Sequence, residues 1–203
     1  AEVVWTRLLS LMLGATVYTF SIILAVFLVG LGIGSSVGSF LSRGVVRPRI
    51  ALGCCQMFLA AAIAWTAYML TRSLPYWPVN PLLSTNPWFT FQIDLVRCLW
   101  AVLPAACLWG ASFPLALAAA ASGEQDTGRL VGGIYAANTA GAICGAVGFS
   151  ILVIPLMGTQ QAQRLMIVLS AAAALLVLAP PVQPSRADDS SRSESRLPVI
   201  RTA

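Results

Sequence analysis

Runs of about twenty or more apolar residues, separated by short arginine-bearing loops, constrain this chain more than any other feature. At about 1.5 Å per helical residue, roughly 20 apolar residues cross a hydrocarbon core of about 30 Å. Residues 15–41, 50–71, 94–121 and 130–154 each meet that length. Residues 159–179 make a fifth span if their polar first turn, with Arg164, snorkels outward. In lipid every backbone N–H and C=O must be satisfied internally. The predicted fold is therefore all-α: a polytopic helical bundle comprising the end of one helix and about five transmembrane spans.

The domain plan follows from the same pattern. Residues 1–179 form a transmembrane helical domain, and residues 180–203, rich in Pro, Ser and mixed charge, form a disordered cytoplasmic tail or linker. Residues 1–13 are apolar but interrupted by Glu2, Trp5 and Arg7, and no charged segment or cleavage site precedes them. They look like the last turns of a preceding helix, not a signal peptide. Trp5 and Arg7 suit a membrane interface.

Hydrophobic residues make up 58% of the chain and charged residues only 9%, against about 25% charged in soluble domains. The net charge of +5 comes from arginine, since Lys and His are absent. Imidazole-ligated metal or haem and a histidine general base are thereby excluded from this chain. The arginines are dispersed, so no nucleic-acid patch is predicted. The five cysteines lie in or beside apolar runs without paired metal-ligand spacing. No catalytic residue, metal or cofactor is predicted.

Arginine placement orients the spans. Arg43, Arg47 and Arg49, then Arg129, then Arg186, Arg192 and Arg196 fall on one face of a five-span topology. The positive-inside rule makes that face, with the loops at 42–49 and 122–129 and the tail, cytoplasmic. The opposite loop, 72–92, contains four prolines, the turn starters Asn80-Pro81 and Asn86-Pro87, and an aromatic belt of Tyr76, Trp77, Trp88 and Phe89.

Gly30, Gly34 and Gly38 repeat every fourth residue, and Gly141 and Gly145 repeat the device. Each series predicts a small-residue face for close helix packing. A dinucleotide fingerprint is not available at the first, because Ser35 stands where its third glycine is needed and no strand precedes it. Polar groups inside the runs are functional candidates because lipid penalises them. Asp94 and Arg97 share a helix face at the outer start of a span, where the predicted pair is interfacial and a cationic solute is the alternative partner of the carboxylate. Asn138, beside Thr139, is placed for interhelical hydrogen bonding or substrate contact. Pro104 and Pro114 free carbonyls that either line a cavity or are satisfied by neighbours.

Three elements carry a family resemblance: Glu2, Trp5 and Arg7; Gly110, Phe113 and Pro114; and Tyr135, Asn138, Thr139 and Gly141. With their surroundings they resemble the membrane domain of bacterial spermidine-synthase-like membrane proteins, of the fused major-facilitator and spermidine-synthase type. The resemblance implies a multi-pass domain of the bacterial inner membrane, linked to polyamine chemistry as an anchor, a scaffold or a conduit. The soluble aminopropyltransferase part of such proteins has no counterpart here, since no strand, glycine loop and helix unit occurs in this chain. The expected partners are the lipid bilayer and other membrane helices or subunits, with a polyamine implied only through the resemblance. Half of a facilitator-like transporter and a peripheral subunit of a larger membrane complex are the other two readings.

Overall fold

The computed structural model describes residues 1–77, 86–121 and 127–179. Among them every element is helical: α1 (Glu2–Leu13), α2 (Val17–Gly44), α3 (Pro48–Tyr68), α4 (Pro87–Ala120), α5 (Thr127–Gly148) and α6 (Ile154–Leu178). The predicted tail at 180–203, most of the 122–129 loop and the turn at Asn80-Pro81 lie outside the described residues.

Local chemistry sets the boundaries. Thr16 caps α2 by accepting from the Thr19 N–H at 3.2 Å, and Gly14, at φ 94°, makes the corner between α1 and α2. Asn86 Oδ1 accepts from the Trp88 N–H at 3.0 Å, with Pro87 in the first turn. That cap starts α4 at Pro87, earlier than the predicted 94, so the aromatic segment at 87–92 is helical. Two π-helical stretches, Met69–Ser73 and Phe149–Val153, run up to Pro75 and Pro155. Each proline lacks the N–H that would close the regular ladder.

Packing is organised around α4. Gly30 lies against Ala106, Gly34 against the Cys107 backbone and Gly38 against Ala111 and Pro114, so α2 and α4 run parallel. A Cβ on Gly38 would stand 2.7 Å from Ala111 Cα, and one on Gly34 would overlap the Cys107 carbonyl. Only hydrogen fits there. From the other side, Gly110 is pressed on the Leu31 backbone. On the flank, α3 runs antiparallel to α4 and satisfies carbonyls near its proline. Pro104 cannot donate to Trp100, whose carbonyl instead accepts from Trp65 Nε1 at 3.2 Å. Thr66 Oγ1 donates to the next carbonyl, Ala101, at 2.7 Å. Neighbours, not a cavity, therefore satisfy these two carbonyls near Pro104.

The two runs at 130–154 and 159–179 join in one helical segment that is broken at Gly158. Among the described residues four segments are long and apolar enough to cross a membrane, and the last, Gly128–Leu178, is one helical segment of 51 residues. Drawn straight it would be about 76 Å long, more than twice a hydrocarbon core. Instead it reverses at Gly158, where φ is 79° and ψ 169°. Tyr135 meets Phe113 at a ring separation of 6.2 Å, Ile154 is buried in the core, and Arg49 donates to the Val177 and Ala179 carbonyls at 3.4 and 3.3 Å. The segment thus leaves and returns to one end of the bundle. Apolar residues run through Leu156 and Met157 up to the turn, which the single glycine Gly158 supplies at positive φ.

Trp5 also departs from expectation. It is fully buried, edge-on to Trp109 at 5.7 Å, whereas Arg7 is exposed. At 100° per residue, Val4, Trp5 and Leu9 share the face of α1 turned to the core, and Arg7 falls on the opposite one. Trp5 is a packing residue, not an interfacial one.

Candidate functional site

A groove of about 610 Å³ lies between α5 and the rest of the bundle. Its floor is apolar and aromatic, with Phe27 from α2, Ile63 from α3 and Trp109 from α4. Three polar residues edge it: Glu2 from α1, Asn138 from α5 and Ser170 from α6. The Ser170 hydroxyl is already held near Gln56, at 3.4 Å from its carbonyl and its side-chain oxygen. No hydrogen bond or ion pair closes on the Glu2 carboxylate among the described residues. Asn138 is exposed to the groove side of α5, one residue before Thr139, whose hydroxyl turns back to the Tyr135 carbonyl at 2.9 Å.

Asp94 and Arg97 are elsewhere. They form an i,i+3 pair at 3.7 Å near the other end of the bundle, with the Asp94 side chain 8% and the Arg97 side chain 13% exposed. Asp94 is thus buried and Arg97 half-buried within the bundle end. Burial follows from the longer α4: seven residues of helix precede Asp94, so it lies in the second turn beneath Trp88 and Phe91. Arg97 also borders a smaller pocket of about 280 Å³ with Trp77 and Phe89. Its Nε has no hydrogen-bond partner. The three polar candidates therefore do not form one site, because Arg97 edges the small pocket and Asn138 the large groove.

No protein-family model, curated protein or solved structure matches this chain.

The residues that carry the resemblance fall into identifiable physical roles. Gly110 permits the backbone contact with α2, Pro114 packs at Gly38, and Phe113 and Tyr135 join α4 to α5 edge to face. Glu2, Asn138 and Gly141 line the groove. A Cβ on Gly141 or Gly145 would meet no heavy atom within 4 Å, so the second small-residue face has no partner helix among the described residues. The groove separates that face from Phe27, Ile63 and Trp109.

Sequence reasoning passed over Trp109, which joins Trp5 and Phe27 at the groove floor. It also passed over Gln163, 2% exposed with Nε2 unpartnered. Its place in the polar stretch 159–164 hid it, and only the packing of α6 turns it inward with Ala162 and Met166.

Proposed function

We propose that this chain is a non-catalytic integral membrane domain of the spermidine-synthase-like type, serving as an anchor and scaffold for a larger membrane assembly. The observation that carries the reading is the exposed apolar exterior. Phe20, Phe40, Phe58, Leu156, Leu175 and Leu176 are all exposed, and only 6% of the most apolar stretch of Gly128–Leu178 is buried. Water would penalise such a surface heavily, whereas lipid and neighbouring helices cover it without cost. The loop holding Arg47 and Arg49 shares an end with Ala121 and Ala179, and the positive-inside rule makes that end cytoplasmic in the bacterial inner membrane. A scaffold, in preference to a polyamine conduit, is supported by Asp94: its carboxylate is occupied by Arg97 and buried away from the groove.

Two measurements test this. The chain should stay in the membrane fraction through alkaline carbonate, and proteoliposomes holding it should take up labelled spermidine no faster than protein-free liposomes. Release by carbonate would contradict the membrane reading. Uptake abolished by Asp94→Asn would replace the scaffold with a transporter.

A further inference from the structure

The corner where α2 gives way to α3 is strongly cationic. Arg43 lies in the last turn of α2, and Arg47 and Arg49 flank Pro48 at the start of α3. The acids among the described residues are elsewhere, Glu2 in α1 and Asp94 near the opposite end. In the sequence of the two loops at this end, Arg43, Arg47, Arg49 and Arg129 are matched only by Glu124 and Asp126. Arg49 is held by the carbonyls of Val177 and Ala179. The side chains of Arg43 and Arg47 are exposed and close no ion pair or hydrogen bond among the described residues. Helix length sets the depth of this charge. The 28 residues of α2 make about 42 Å of helix, beyond a hydrocarbon core of about 30 Å and close to the 40–45 Å that includes the headgroup layers. Arg43 therefore stands at headgroup level. Phe40, one turn nearer the bilayer centre on the same side of α2, is 78% exposed, and Val46, between Arg43 and Arg47, is 93% exposed.

From this juxtaposition we propose that the α2–α3 corner docks an anionic phospholipid. Arg43 and Arg47 donate to the headgroup phosphate, and an acyl chain lies over Phe40 and Val46. Guanidinium forks match phosphate oxygens in geometry as well as charge. Net charge sets the lipid class: a zwitterionic headgroup holds its own ammonium against its phosphate and leaves the two arginines uncompensated, whereas a headgroup of net negative charge neutralises them. The apolar neighbours set the source of the phosphate. A free phosphate or a soluble headgroup would meet the arginines and leave Phe40 and Val46 uncovered.

The site rests on the membrane reading, and the experiment separates the two. The full chain is reconstituted into phosphatidylcholine vesicles doped with phosphatidylglycerol, or in a parallel set with phosphatidylcholine, carrying a photoactivatable group on one acyl chain. Crosslinks to residues 40–50 are then mapped by mass spectrometry as the doped lipid is titrated. Phosphatidylglycerol should saturate this segment at a mole fraction about fivefold or more below that of phosphatidylcholine, the scale of one basic side chain at an anionic surface. Arg43→Gln and Arg47→Gln should each lower that preference, and together they should abolish it. Phe40→Ala should weaken labelling by a smaller factor, and Arg164→Gln, on α6 beyond Gly158, should leave it unchanged. Unaltered thermal stability of the paired arginine variant excludes misfolding as the cause. A chain that fails to enter vesicles contradicts the membrane reading. A chain that enters but labels equally from both lipids, keeps its preference without the two arginines, is unaffected by Phe40→Ala, or is competed as well by soluble glycerophosphoglycerol as by the intact lipid overturns the site alone.

Discussion

Removing the Asp94 carboxylate leaves the Arg97 guanidinium, one turn further along α4, without the one ion-pair partner it has among the described residues and with its Nε already unpaired. An exposed pair would contribute 0 to about 1 kcal/mol, but stripping one partner from a buried pair costs more because the survivor remains desolvated. Asp94→Asn should therefore destabilise the chain by roughly 2 kcal/mol or more. Adding Arg97→Gln to the same chain should recover part of the loss, as read from thermal unfolding in detergent. Equal stability of Asp94→Asn and the parent would show the pair to be solvated. The i,i+3 spacing of these two residues is legible in the sequence. Their burial is not, because it depends on how far α4 extends beyond them, and the Asn86 cap decides that. Trp5 illustrates the same limit, since an indole beside an arginine reads as interfacial until the rest of α1 fixes which face turns inward.

Among elements, the two glycine series should respond in opposite ways. Gly34→Ala places a methyl on the Cys107 carbonyl and must part α2 from α4, a strain of about 1–3 kcal/mol. Gly145→Ala meets open space in a regular helix and should stabilise the isolated chain by about 0.5–1 kcal/mol. Thermal denaturation of the two variants in detergent compares them directly, and a similar loss at both would show that α5 is packed in the isolated chain. The four-residue repeat is visible in the sequence at both places. Which repeat finds a helix is tertiary information: α2 and α4 run parallel in contact, whereas α5 touches the bundle near Phe113 and then diverges. The helical character of the long apolar runs, by contrast, was readable at once. Length and composition leave few alternatives to a helix. Their boundaries moved where caps and prolines act.

For the whole molecule, the central feature is the 51-residue helical segment Gly128–Leu178, which leaves one end of the bundle and returns to it, turning at Gly158. Five apolar runs can be counted in the sequence, but the absence of a loop between the last two depends on a single glycine at positive φ. Resemblance-based expectations of polyamine chemistry add nothing to that geometry, which stands on the contacts of Tyr135, Ile154 and Arg49. The most direct test is sided labelling of single cysteines placed in a cysteine-free chain, in sealed right-side-out and inverted membrane vesicles. Cysteines at Val46, Ala121 and Ala179 should react with an impermeant maleimide from the cytoplasmic side only, and those at Ala15 and Gln160 from the opposite side only. Labelling of Gln160 from the same side as Val46, or of Ala179 from the side opposite to it, would contradict the reversal at Gly158 and with it the account of the bundle.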